Sequence, residues 1–201
     1  SMNDQVTQLE TDEILRLAER AFLQNGEGDF VELGCYRGDT SVLLGKLLQN
    51  LQSASAAPAR HLWIYDSFAG LPEKTREDAS GAGANFQAGE LFVTKREVVA
   101  KIRRHNLKNI IIKKAWFDEL TDADLPKKIA FAFCDGDLYS SIRTSLHLVW
   151  PRLTKQGIVI VHDYNNAELP GSARAVDEFL KSHPEVQLRV WQTLAILSRK
   201  A

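Results

Sequence analysis

The sequence predicts a doubly wound α/β sandwich: a mostly parallel seven-stranded sheet with helices on both faces and one antiparallel strand at an edge. Three observations predict it. Short apolar, strand-like runs alternate with segments of helical periodicity along the chain. Two glycines, Gly34 and Gly38, separate the first such run from the helix after it. The last two strand-like runs follow each other with no helix between them, the pattern of a hairpin rather than a crossover. At 201 residues the chain is of one-domain size, so residues 1–201 are read as a single domain whose first 28 residues form a leading helical segment.

Each element has its own signal. From Thr11, a capping residue, Ile14, Leu15, Leu17, Ala18, Ala21 and Phe22 recur at helical spacing until Gly26 and Gly28 end the pattern. Phe30–Leu33 is the first strand. A helix opens near Asp39-Thr40-Ser41 and carries Val42, Leu43, Leu44, Leu47 and Leu48. The Ala- and Ser-rich stretch from Leu51 to Arg60 is a connection, and His61–Tyr65 is a second strand ending at Asp66. Residues 72–93 lack periodicity and are too long for a tight connection, which makes them a candidate lid, with Phe86 and Phe92 as apolar wall residues. Thr94-Lys95-Arg96-Glu97 is a capping box that starts a helix through Val98, Val99 and Ile102. Asn109–Ile112 and Ile129–Phe133 are the third and fourth strands. Leu138–Trp150 is a helix halted by Pro151, and Gly157–Val161 is the fifth strand. A helix starting at Gly171-Ser172 precedes the closing strands, Gln187–Trp191 and Leu194–Ser198.

Composition narrows the function classes. Twenty-five Lys plus Arg against 26 Asp plus Glu leave a net charge of -1, without the positive field that gathers phosphates, so nucleic acid is excluded as a partner class. The apolar runs are far below the ~20 residues needed to cross a bilayer, and the first residues lack a basic, then apolar, export signal. The expectation is a cytoplasmic protein without membrane contact, with Ser1 a cloning remnant. Cys35 and Cys134, both beside apolar runs, read as buried free thiols.

In sheets of this kind, ligands sit beyond the carboxyl ends of the strands. Those ends are acidic here: Glu32-Leu33-Gly34, Asp66-Ser67, Asp135-Gly136-Asp137 and His162-Asp163. The turn Gly34-Cys35-Tyr36-Arg37-Gly38 departs from G-x-G-x-x-G, which disfavours a pyrophosphate-bearing dinucleotide. Introduced by Glu32, it suits a cationic ligand such as S-adenosylmethionine. Asp66 stands where an acid accepts both ribose hydroxyls, and Trp116-Phe117 can cover an adenine face. Asp135, Asp137, His162 and Asp163 follow adjacent strands, and clustered acids are relieved of mutual repulsion by a divalent cation; the bland alternative is that Asp137 caps a helix.

The strings Val31-Glu32-Leu33-Gly34-Cys35-Tyr36-Arg37-Gly38, Tyr65-Asp66-Ser67-Phe68-Ala69-Gly70-Leu71-Pro72, Ala115-Trp116-Phe117, Asp135-Gly136-Asp137-Leu138-Tyr139 and His162-Asp163-Tyr164 resemble the macrocin O-methyltransferase (TylF/MycF/NovP-like) family across about residues 29–165. The resemblance implies a Rossmann-like class I S-adenosylmethionine-dependent methyltransferase that uses a bound divalent cation, usually magnesium, to methylate sugar hydroxyls. It implies cofactor contacts from Glu32, Gly34, Gly38, Asp66 and Trp116, to which Tyr36, Ser41, Ser67, Phe117 and Asp135 are added as neighbours. Asp135, His162 and Asp163 become the metal ligands, Asp135 and Asp137 the catalytic acids, and Asp137 the general base. One departure stands out: the family pair is usually Asp-Asp, whereas here it is His162-Asp163. Imidazole admits Mn, Fe, Co or Zn beside Mg, unless strand alternation turns His162 away. The chain also reads as shorter than family members with an extra N-terminal segment. The expected partner is a small hydroxylated acceptor; a homo-oligomer is left open. A metal-dependent hydrolase built on Asp135, His162 and Asp163, or a catalytically silent cofactor-binding subunit, are the alternative readings.

Overall fold

The computed structural model describes residues 6–79 and 86–200. Its elements run α1 (Gln8–Gln24), β1 (Asp29–Leu33), α2 (Asp39–Ser53), β2 (Leu62–Asp66), α3 (Lys95–Arg104), β3 (Ile110–Lys114), β4 (Ile129–Cys134), α4 (Tyr139–Val149), β5 (Leu153–Val161), α5 (Pro170–Ser182), β6 (Val186–Trp191) and β7 (Leu194–Arg199). The sheet order is β3-β2-β1-β4-β5-β7-β6. Neighbours from β3 to β5 pair in parallel, while β7 pairs antiparallel with both β5 and β6. The closing strand pair therefore supplies the antiparallel member at that edge, with β6 outermost.

Side-chain alternation divides the core in two. Phe30, Ile64, Phe131, Phe133, Ile158 and Ile160 point to the face covered by α1, α2 and α3. Val31, Leu33, Ala132, Cys134, Val159 and Val161 point to the face covered by α4 and α5. Central strands buried on both faces explain why β4 and the end of β5 read as unbroken apolar runs.

Three local features differ from the sequence reading. Helix α1 begins one turn earlier than Thr11, because Thr7 and Glu10 form the capping box: Thr7 Oγ1 accepts the Glu10 N–H at 3.2 Å, and Glu10 Oε2 accepts the Thr7 N–H at 3.0 Å. Strand β5 begins at Leu153 rather than Gly157, since its partly solvated start, Thr154-Lys155-Gln156, hides it from a search for apolar runs. Within the candidate lid, Ser80 to Asn85 lie outside the described residues, and the flanks are anchored. The Leu71 N–H donates to Glu90 O and the Gly89 N–H to Leu71 O, while Asp78 accepts the Tyr139 N–H at 2.7 Å. Phe86 packs with Leu71, Leu138 and Leu169 in a small satellite core. Phe92, expected on a cavity wall, is 59% exposed.

Candidate active site

The strand order reverses at β1, whose neighbours β2 and β4 lead to opposite halves of the sheet. The crevice at this switch point is where ligands lodge in such folds. It holds a cavity of about 430 Å³. Gly34, Tyr36, Asp66, Ser67, Trp116, Phe117, Asp135 and Asp137, all expected from the sequence, line it. Glu73, Asp118, Ser140, Ser141 and Thr144 also line it and were not foreseen; the last three share one polar face of α4, the signal that could have found them.

The backbone around this crevice is tightly specified. Gly34 has φ +91° and a Cβ there would stand 2.1 Å from the Asp135 carbonyl oxygen, so only glycine lets β1 and β4 approach. Asp66 at the end of β2 fastens the turn after β1: its Oδ2 accepts the N–H groups of Cys35 at 2.8 Å and Tyr36 at 3.3 Å, and its Oδ1 accepts that of Phe68 at 2.8 Å. Tyr36, Phe68, Asp137 and Asp163 adopt left-handed backbone conformations just beyond β1, β2, β4 and β5. Such conformations cost non-glycine residues about 1–3 kcal/mol and concentrate at functional sites.

Other expected site residues lie beneath the cavity rather than on its wall. Glu32 is fully buried on the α2 face, where the Ser41 hydroxyl donates to it. Burial pushes the Glu32 carboxyl up to about 8, helped by the charges of Asp135 and Asp66 and opposed by the Ser41 bond. Gly38 is the left-handed N-cap of α2. Cys35 and Cys134 are buried free thiols, and burial pushes both thiols up.

The described cavity wall carries six carboxylates, from Asp66, Glu73, Asp118, Glu119, Asp135 and Asp137, and no Lys, Arg or His. Its field favours a cationic ligand and opposes phosphate. A smaller cavity of about 120 Å³ shares Gly34, Tyr36, Leu91, Asp135 and Asp137 with it and extends to Thr11, Arg37 and Thr40. Asp135 and Asp137 thus stand where the two cavities meet.

Behind Asp135 lies a three-donor cluster. The register pairs Phe133 with Ile160 and Cys134 with Val161, so Asp135 and His162 come next and project to the same face. His162 Nδ1 lies 2.8 Å from Asp135 Oδ1 and 3.0 Å from Asp163 Oδ2. Strand alternation does turn His162 towards α1, as its ring contact with Phe133 shows, yet Nδ1 still reaches both carboxylates. One donor atom from each residue lies within 4.8 Å of the others. Asp163 Oδ2 is buried and accepts no hydrogen bond. An unsatisfied buried carboxylate oxygen beside one nitrogen and one further oxygen donor fits a divalent cation. Burial works to lower the His162 pKa, but Asp135, Asp163 and Glu10 raise it well above the usual value. A proton and a cation are alternative occupants of the Nδ1 lone pair.

Known proteins share this arrangement of strands. A family described as macrocin-O-methyltransferase (TylF) matches residues 6–190. The chain belongs to the macrocin O-methyltransferase family. Within that family it is 32% identical over 143 residues to the 8-demethyl-8-(2,3-dimethoxy-alpha-L-rhamnosyl)-tetracenomycin-C 4'-O-methyltransferase of Streptomyces olivaceus, covering 68% of this chain and 53% of that one. It is 29% identical over 171 residues to the demethyldecarbamoylnovobiocin O-methyltransferase of Streptomyces niveus, covering 83% of this chain and 63% of that one. The chain thus spans less than two thirds of the length of either relative. The solved structure of the O-methyltransferase NovP superposes with a TM-score of 0.80 at 26% identity, over 95% of this chain and 79% of that one. At 13% identity and a TM-score of 0.66, the O-methyltransferase TomG of Streptomyces achromogenes, solved with S-adenosylmethionine, shares the fold. No described helix is long and apolar enough to cross a membrane.

Proposed function

We propose that this member of the macrocin O-methyltransferase family transfers a methyl group from S-adenosylmethionine to a hydroxyl of a small, sugar-bearing acceptor, with a divalent cation held by Asp135, His162 and Asp163. The observation that carries the reading is the meeting of the two cavities at Asp135 and Asp137, with the three-donor cluster directly behind. The six-carboxylate wall matches a sulfonium and an ammonium group better than a nucleotide phosphate. One relative named for a rhamnosyl-bearing acceptor supports the substrate class.

When bound, S-adenosylmethionine would supply an electrophilic methyl on sulfur, and a divalent cation held by Asp135, His162 and Asp163 would supply Lewis acidity toward the acceptor hydroxyl. The residues do the rest. Gly34 and Tyr36 shape one wall, Asp66 and Ser67 the adjoining rim, and Trp116 and Phe117 present apolar faces for an adenine. Asp137 takes the proton from the acceptor hydroxyl, its left-handed backbone setting the carboxylate at the junction of the cavities. Asp135 and Asp163 would supply the hard oxygen donors to the cation. Holding the acceptor oxygen within ~3–3.5 Å of the methyl carbon is the larger part of the work.

Calorimetry with S-adenosylmethionine, followed by transfer of labelled methyl to a panel of glycosylated acceptors with and without chelator, tests the reading. Saturable binding and chelator-sensitive transfer are expected. Hydrolysis of esters without the methyl donor would replace this reading by that of a hydrolase. Binding with no transfer to any acceptor would leave a silent cofactor-binding subunit.

A further inference from the structure

Glu10 is a buried carboxylate that the proposed chemistry does not use. It stands in the first turn of α1 and is 1% exposed, although the acid of a capping box ordinarily faces solvent. Both of its oxygens are engaged. Oε2 accepts the N–H and the hydroxyl of Thr7, each at 3.0 Å. Oε1 accepts the N–H and the hydroxyl of Thr193 at 3.0 and 2.6 Å, in the turn between β6 and β7. Helix α1 and the closing hairpin thus clamp this side chain from two directions. Its Oε2 lies 3.7 Å from His162 Nε2.

The two nitrogens of His162 therefore have separate surroundings. Nδ1 faces Asp135 and Asp163, and Nε2 faces Glu10. A metal-ligating histidine generally donates its other ring N–H to a carboxylate, which fixes the tautomer and the ring plane and makes the ligating nitrogen more basic. Four donor groups, the N–H and hydroxyl of Thr7 and of Thr193, converge on the Glu10 carboxylate and hold its Oε2 3.7 Å from His162 Nε2.

We propose that Glu10 is a positioning residue for a metal-ligating His162: its carboxylate, 3.7 Å from Nε2, favours the ring proton on that nitrogen, leaves the Nδ1 lone pair facing Asp135 and Asp163, and so builds a site that takes Mn²⁺ more tightly than Mg²⁺. The inference rests on the cation reading of the proposed function. Its chemical ground is the one-nitrogen, two-oxygen donor set, because imidazole suits borderline transition ions better than Mg²⁺.

The test uses the full chain, stripped of metal, with calorimetric titration of MnCl₂ and MgCl₂ and the visible spectrum of the Co²⁺ form. Glu10→Gln should weaken Mn²⁺ binding ~10–100-fold and alter the Co²⁺ spectrum, the usual size of such outer-sphere effects. His162→Asp should narrow the gap between Mn²⁺ and Mg²⁺, and adding Glu10→Gln to it should cause no further loss of Mn²⁺ affinity. If Glu10→Gln does not fold, Glu10→Asp, which withdraws the charge by one methylene, should shift affinity in the same direction. Unchanged Mn²⁺ binding in a folded Glu10 variant would overturn the inference and spare the cation reading. A further loss in the double variant equal to that in the single one would overturn it too, since Glu10 would then act on the fold and not through His162. A folded wild-type protein that binds no Mn²⁺ would overturn both.

Discussion

Asp66 Oδ2 accepts the backbone N–H of Cys35 at 2.8 Å, so the acid that ends β2 also holds the glycine turn that follows β1. One carboxylate therefore shapes the cavity and lines it. Asp66→Ala leaves the N–H groups of Cys35, Tyr36 and Phe68 without this acceptor. A loss of about 2 kcal/mol of stability is expected, together with weaker S-adenosylmethionine binding. Denaturant unfolding and calorimetry measure the two effects. A variant as stable as wild type with undiminished affinity would show that the turn holds itself.

Gly34→Ala tests the close approach of β1 and β4. The added methyl would meet the Asp135 carbonyl oxygen at 2.1 Å, on a backbone already at φ +91°. At least several kcal/mol of destabilisation is expected, roughly 3 or more, because backbone must move on both sides. Loss of soluble expression or a greatly lowered Tm is the readout; a variant with near wild-type Tm would contradict the geometry.

Glu32 predicts a pH dependence of stability. Its folded pKa is about 8, above the ordinary 4.5. Below pH 4.5 both folded and unfolded forms carry the proton. Between 4.5 and 8 the folded protein must hold a proton that the unfolded chain releases, so this group's contribution falls as pH rises, by up to ~1.4 kcal/mol per pH unit, and levels off above 8. Glu32→Gln, neutral at every pH, lacks this decline. Urea unfolding of both proteins at pH 5, 6, 7 and 8 should show the stability difference shifting towards the variant as pH rises; parallel curves would mean that Glu32 is not buried as a neutral acid.

Asp137→Asn keeps the shape of the cavity wall and removes the carboxylate proposed as the base. A fall in kcat of about 10²–10⁴-fold is expected, with S-adenosylmethionine binding retained. Stopped transfer with intact binding separates this role from a structural one. Full activity in the variant would move the base elsewhere, with Asp135 the next carboxylate at the junction.

Burial and inaccessibility predict that Cys35 and Cys134 stay unmodified by a thiol reagent at pH 8 in the folded protein and react after unfolding. Rapid labelling of either in the native state would be inconsistent with the packing of the strand ends.

The sequence by itself determined the alternation of strands and helices, the parallel sheet with one strand reversed, and the acidic strand ends, because periodicity, capping boxes and glycine turns are local properties of the chain. It also marked Asp66, Asp135, Asp137, His162 and Asp163, since a strand-terminal position is legible from the end of an apolar run. It did not show that Glu32 lies buried beneath the cavity bonded to Ser41, the polar face of α4, or the burial of Glu10. Those depend on which helix covers which face and on registers between strands far apart in the chain. The Thr7–Glu10 capping box starts α1 one turn before the Thr11 taken from the sequence, and its acid becomes buried only when α1 packs against the crest of β5 and the turn before β7. Only tertiary structure decided that His162 lies between three carboxylates, because electrostatic environment is a property of neighbours in space and not in sequence.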